Sequence, residues 1–375
     1  MLKKIICLLS AALFVVVTAV SSSAVSIPDV SARSAVLYCK ETGQVIAEKD
    51  SRKIMSMAST TKIMTSVIAL ETDKPDMIVE ITQEMVNVEG TSSGLRTGDK
   101  ITLTDLVYCM LLESGNDAAN AVAVALSGSL EEFARLMNKK AAEIGMADTS
   151  FVTPSGLDDK NHYTTAYDMA LLTSYALDND DFVEICSQTS YVTEFIDSDK
   201  QITLYNHNRL LREYEGCIGV KTGFTKKSGR CLVSAAKRGD VTLVAVTLNA
   251  GDDWNDHRKM LDYGFSCVDS EKIDAEMSSV MIPVVGSEIV SVRVSSISAD
   301  IPYIKNEENS FTKEIFLEKF LYAPVNAGDI VGYVRFYNNG RFIKQMSLTA
   351  AEAADASVKE KINLWDRIIG FFDRW

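Results

Sequence analysis

Two clusters of strand-like sequence flank a long stretch that reads as helices and loops, and that separation restricts the fold more than any other feature. Residues 34–39 and 44–48 form a hairpin signal around Glu41-Thr42-Gly43. Far downstream, residues 218–223, 231–236 and 241–248 read as three more strands, the last two joined across Lys237-Arg238-Gly239-Asp240. Between the clusters, apolar residues recur at helix spacing over 59–71, 104–112, 117–126, 129–144 and 165–177. Gly145 reads as a helix stop, and so does Gly264 after a further helix over 254–263. The pattern predicts an α+β domain: an antiparallel five-stranded sheet with helices on both faces.

A chain of 375 residues, 47% hydrophobic and 24% charged, has room for two such units. The composition shifts near 269–279. From 280 to 348 short strands alternate with turns such as Asn338-Asn339-Gly340, which predicts a small all-β domain over 275–352 serving as a spacer. At the N-terminus, Lys3-Lys4 precede an apolar run over 5–20 and then Ser21-Ser22-Ser23-Ala24. That run is shorter than the ~20 residues a membrane span needs, so residues 1–24 read as a secretory signal peptide and the protein as exported. The last segment, 355–375, is an amphipathic helix in pattern. Val358, Ile362, Trp365, Ile369 and Phe372 share a narrow arc, with Asn363, Asp366, Arg367, Asp373 and Arg374 on the other half, as an anchor lying in a membrane surface would have them. A net charge of −13 argues against a nucleic-acid partner. The cysteines are scattered without metal-ligand spacing, which favours buried thiols over a zinc site or a disulfide framework; whether any pair is open.

Ser59 and Lys62 stand three residues apart on one helix face, where an amine can reach a hydroxyl. That is a nucleophile with a base beside it. Glu113-Ser114-Gly115-Asn116 breaks two buried helices, so Ser114 and Asn116 sit in a tight, rigid turn facing a cleft. Lys221-Thr222-Gly223 ends a strand with a cation, a hydroxyl and a glycine that admits close backbone approach. Gly90-Thr91-Ser92-Ser93-Gly94 matches a nucleophile-elbow pattern. It lacks the preceding hydrophobic strand and following helix and reads as a glycine-rich loop.

Ser59-x-x-Lys62, Ser114-x-Asn116 and Lys221-Thr222-Gly223 occur in the order shared by class A β-lactamases and penicillin-binding proteins. With Pro154-Ser155-Gly156-Leu157 and the stretches 58–65, 113–120, 162–168, 220–225 and 231–246, the chain resembles the low-molecular-weight penicillin-binding proteins that are serine-type D-alanyl-D-alanine carboxypeptidases. The similarity covers residues 30–268, and the Glu-x-x-Leu-Asn loop of class A β-lactamases is missing between Ser114 and Lys221. The resemblance implies a β-lactamase/transpeptidase-like domain over 25–270, then the β-rich domain and the amphipathic anchor, at the outer face of the cytoplasmic membrane or in the cell wall. It implies removal of the terminal D-alanine from peptidoglycan stem peptides, acylation by β-lactams, and no cofactor or metal. By the same resemblance Ser59 is the nucleophile and Lys62 the base, kept neutral by burial and by the charge of Lys221. Ser114 relays a proton to the leaving D-alanine, and Asn116 and Lys221 hold it and the substrate amide. Thr222 and Gly223 line the substrate strand, the N–H groups of Ser59 and Phe224 form the oxyanion hole, and Arg258 joins Thr222 at the terminal carboxylate. The alternatives are β-lactam hydrolysis or transpeptidation on the same fold, and a non-catalytic wall-binding protein.

Overall fold

The computed structural model describes residues 28–74 and 76–357. The leader at 1–24 and residues 358–375 of the amphipathic segment lie outside the described residues.

The distant strand clusters meet. One five-stranded antiparallel sheet runs in the order Gln44–Lys49, Ser34–Cys39, Val241–Ala250, Gly229–Arg238, Cys217–Thr225, so the N-terminal hairpin pairs with the last strand of the downstream cluster. Val36 faces Val246 and Leu37 faces Ala245 in that register. Ser34–Cys39 is buried at every position, which requires cover on both faces. Its alternation assigns the cover: Val36 and Tyr38 join a core with Ile63, Met64, Val122 and Phe133, while Ala35, Leu37 and Cys39 join one with Leu243, Met260 and Leu261.

The first core is built by the helices expected between the strand clusters. Ala58–Thr61 is a 3₁₀ turn leading into the helix Lys62–Leu70. Leu103–Tyr108 continues into a π-turn, Cys109–Glu113, before the helix Asn116–Ser127. Leu130–Ile144 begins on a Ser129 side-chain cap and ends at Gly145 in the left-handed region, and Ala166–Ala176 begins on Thr165. Asp180–Ser187, capped by Asn179, is a further helix whose Phe182 and Ile185 are buried.

The other face is covered by Asp253–Cys267. This helix passes through Gly264 and does not stop there. A Cβ there would lie 2.6 Å from Leu243 Cδ1 and 2.8 Å from Leu37 Cδ2, so the glycine serves close helix-on-sheet packing.

Val268–Ala275 carries the chain into the β-rich domain, where it pairs with Ile297–Ile304. Two three-stranded sheets complete that domain around a core including Ile282, Val292, Ile301, Val334 and Phe336. It meets the first domain at the Gly43 turn, where the Arg341 guanidinium occupies the place a side chain would take, and through an ion pair of 2.8 Å between Lys344 and Asp240.

Candidate active site

Three segments from three parts of the fold converge on Ser59. The first is its own helix. Lys62 is fully buried, and its Nζ lies 3.0 Å from Ser59 Oγ, 2.7 Å from Asn116 Oδ1 and 2.7 Å from the Ser155 carbonyl oxygen. Burial, then the positive charge of Lys221, hold this amine well below its ordinary pKa, against the opposing pull of Asp117. A neutral amine has two N–H bonds and one lone pair. Asn116 Oδ1 and the Ser155 carbonyl can only accept, so they take the two N–H bonds and the lone pair is left for the Ser59 hydroxyl proton.

The second segment is the turn between the π-turn and the next helix. Ser114 adopts φ +67°, left-handed backbone that a non-glycine residue seldom occupies, and it lines the cleft. Asn116 donates from Nδ2 to the Glu89 carbonyl at 2.6 Å and from its backbone to the Thr91 carbonyl at 2.8 Å, so its side-chain oxygen is aimed at Lys62. The third segment is the edge strand. Lys221 is buried, donates to the Thr222 carbonyl at 3.1 Å, and is pushed down to about 7 by burial, with Glu113 opposing. Gly223 crosses so close to Ser59 that a Cβ would lie 3.0 Å from the Ser59 backbone nitrogen. Thr222, Gly223 and an exposed Phe224 line the cleft beside Ser59 and Ser114. Its volume is about 540 Å³.

Arg258 is the expected site residue that the structure leaves off the cleft lining. Its guanidinium pairs with Glu213 on the short helix Leu210–Glu213, which also pairs with Arg209. The arginine that lines the cleft is Arg230, held by two hydrogen bonds to Asp253 Oδ1 at 2.9 and 2.6 Å. Arg230 stands directly across the strand pair from Phe224, so both side chains share one face. Pairing the two strands outward from the turn at 226–228, Thr225 with Gly229 and Phe224 with Arg230, would have found it.

Three further contributors lie outside the three catalytic motifs. The Ser155 carbonyl is presented by a loop in which Gly156, at φ +90°, lies so near the Ala58 carbonyl that any side chain would collide. Thr65 Oγ1 donates to the Pro154 carbonyl at 2.6 Å, and His162 Nε2 lies 2.8 Å from Thr61 Oγ1. Because Nδ1 of His162 accepts from the Val152 N–H, Nε2 carries the proton and donates; burial pushes this histidine down to about 4. Second, the 90–94 loop forms a wall of the cleft through Thr91. It is fastened by buried Asp117, which accepts from the Ser93 N–H at 2.9 Å and the Ser92 hydroxyl at 2.6 Å. Third, His207 lines the cleft with its Nε2 3.6 Å from the Glu113 carboxylate; burial and Lys221 lower its pKa.

A serine hydroxyl beside a buried, deprotonatable lysine, with a second serine and a second lysine on the same cleft, defines a serine enzyme of the penicillin-binding-protein fold. Comparison with known proteins narrows the class. Residues 21–252 match the D-alanyl-D-alanine carboxypeptidase family, peptidase family S11, and residues 281–356 match the C-terminal domain of penicillin-binding protein 5; the chain belongs to this carboxypeptidase family. It is 31% identical to the D-alanyl-D-alanine carboxypeptidase DacF of Bacillus subtilis over 86% of this chain and 85% of that one. It is 32% identical to DacC of Escherichia coli over 94% and 91%. Among solved structures, penicillin-binding protein 5 of Haemophilus influenzae superposes with a TM-score of 0.62 at 25% identity, covering 88% of this chain and 99% of that one. The Streptomyces K15 DD-transpeptidase gives 0.62 at 30% identity over 64% and 100%. The chain is a serine D-Ala-D-Ala carboxypeptidase, a hydrolase of a family that acts on peptidoglycan stem peptides and binds β-lactams.

Proposed function

We propose that the protein is exported, with residues 1–24 removed, and that it releases the terminal D-alanine of stem pentapeptides through an acyl-enzyme on Ser59. The observation that carries this reading is the Lys62 amine, 3.0 Å from Ser59 Oγ, with both of its N–H bonds taken by acceptors at 2.7 Å.

In the first step Ser59 Oγ attacks the carbonyl of the penultimate D-alanine while its proton passes to Lys62 Nζ. The backbone N–H groups of Ser59 and Phe224 stabilise the oxyanion; one such donor is typically worth about 10²–10³ in rate. Ser114 relays the proton from Lys62 to the departing amine, giving up its own and taking the one on Lys62, and water then hydrolyses the ester. The substrate lies along Thr222 and Gly223 as an added strand. Its terminal carboxylate is met by Thr222 and by Arg230, which takes the part first expected of Arg258. A β-lactam imitates the D-Ala-D-Ala end and acylates the same hydroxyl. Residues 25–270 form the catalytic unit, 275–352 a spacer, and 355–375 an attachment to the outer face of the cytoplasmic membrane.

Intact-mass spectrometry tests this. Incubation with benzylpenicillin should add one equivalent to the wild-type chain and none to Ser59→Ala, and a pentapeptide should lose one D-alanine only with the wild type. Adduct formation on Ser59→Ala would remove Ser59 as nucleophile. Transfer of the acyl group to an added amine in preference to water would assign transpeptidation instead.

A further inference from the structure

The β-rich domain carries large apolar side chains in solvent, and the two most exposed of them, Val290 and Tyr322, stand on adjacent turns. The strand Met281–Val285 turns back at 286–290, where the Val284 N–H donates to the Val290 carbonyl at 2.9 Å. Val285 is the register partner of Tyr322, whose ring stacks edge-to-face with Phe320 at 5.3 Å. Val290 is 76% exposed and Tyr322 71%, with Val285, Ile289 and Phe320 also exposed beside them. Two adjacent turns thus present five large apolar side chains to water. A monomeric domain gains nothing from that arrangement unless something covers it.

The end of the described chain identifies the cover. The Ser357 N–H donates to the Gly286 carbonyl at 2.7 Å, so residues 358–375 depart from this same tip. Their sequence has the apolar arc of a helix that lies in a membrane interface. We propose that the 285–290 and 320–322 turns insert into the lipid headgroup boundary as a second, independent membrane contact beside that segment. The inference rests on the membrane attachment proposed above. Side chains more than two-thirds exposed project outward; they do not line a groove that a helix could fill, whereas a lipid interface closes around protrusions. Tyrosine suits that boundary, with an apolar ring and a polar tip. Charges farther than a Debye length from the tip are screened, and those beside it, Glu288, Glu318 and Lys319, are mixed in sign, so the contact draws on apolar burial.

The test uses the full mature chain with vesicles of phosphatidylethanolamine and phosphatidylglycerol. Val290→Cys and Phe371→Cys are each labelled with an environment-sensitive fluorophore, with labelled wild type as the background for native thiols, and brominated lipids serve as quenchers. Quenching at both positions is expected, and quenching at 290 alone would support the tip and remove the tail. The Val290→Asp/Tyr322→Asp double variant should weaken partitioning about ten-fold, or more, with no change in Tm. Quenching at 371 but not at 290 overturns this inference and leaves the attachment reading standing; quenching at neither overturns both. A 290 label already blue-shifted in lipid-free buffer also overturns it. Independence of protein concentration would then assign the patch to the chain's own tail, and dependence on concentration to a second copy.

Discussion

The first domain buries Lys62, Lys221, Asp117, Asn116, His162 and His257, whereas among the described residues from 268 onward Asn338 is the one buried polar side chain. The second domain does the reverse and leaves Val290 and Tyr322 in water. A core selected for stability alone would be as apolar as that of the second domain, since each buried ionisable group brings a desolvation cost that its partners must offset. Lys62, Lys221, Asp117, Asn116 and His162 gather around Ser59 and mark where chemistry constrains the residues, whereas His257 bonds Ser234 and Thr247 on the other side of the sheet; the apolar side chains in solvent mark where contact does.

The sharpest way to break this contrast is to make the first domain resemble the second. Lys62→Met removes the base while filling its volume. Acylation by benzylpenicillin should fall by about 10³-fold or more, the usual scale for a lost member of a nucleophile–base pair. Stability should fall by no more than ~2 kcal/mol, because relief of the buried amine offsets the two acceptors left unpaired, Asn116 Oδ1 and the Ser155 carbonyl. Stopped-flow acylation and urea unfolding read the two quantities. Phe336→Ala in the second core should do the opposite, costing about 3–5 kcal/mol in that domain's unfolding while kcat/KM on a soluble tripeptide ending in D-Ala-D-Ala stays unchanged. If Lys62→Met unfolded the protein, or Phe336→Ala slowed catalysis, burial of polar groups would not separate chemistry from stability here.

The fold and the central residues were legible because short-range signals carried them. Short apolar runs bounded by turn residues marked both strand clusters, and the chain had to bring them together to bury 34–39 on both faces. Ser59, Lys62, Ser114, Asn116 and Lys221 carry chemistry in their side chains at fixed spacings. The Ser155 contribution is a main-chain carbonyl, which leaves no residue type to read. Gly264 looked like a helix stop because a glycine needed for close packing and one needed for positive φ are identical on the page. Thr91 was hidden in a loop whose role depends on Asp117, distant in sequence and buried in space. Arg258 was placed by local similarity in a helix, but register across a strand pair puts Arg230 at the cleft.

That exchange of arginines gives the next effect in size. Arg230→Ala should raise KM for a D-Ala-D-Ala peptide about 10- to 100-fold, the range for a lost hydrogen bond to a charged group, with a smaller effect on kcat. Arg258→Ala, whose guanidinium is engaged by Glu213, should leave KM alone. Steady-state kinetics on the two variants decide which cation meets the carboxylate, and equal KM values for Arg230→Ala and wild type would exclude Arg230.

The smallest effect separates the two domains by pH. All three histidines of the chain lie in the first domain. His162 and His257 are pushed down by burial, to about 4 and about 3, from the ordinary 6.5. A base with a depressed folded pKa contributes stability that is fully present above its unfolded pKa and is lost as pH falls toward the folded one. Between pH 6.5 and 5 the unfolded chain takes up protons that the folded domain refuses, which costs about 2 kcal/mol for each histidine. Lys62, also depressed by burial, acts in the same direction, and Asp168, raised by burial, opposes them. The second domain has no such base among its described residues, so its unfolding midpoint should stay level over this window while that of the first domain drops. Urea unfolding at pH 7 and pH 5, followed by Trp254 fluorescence for the first domain in a chain carrying Trp365→Phe and Trp375→Phe, and by hydrogen exchange across 330–349 for the second, measures the two separately. A first-domain midpoint that does not move with pH would mean that these imidazoles are not held neutral by burial.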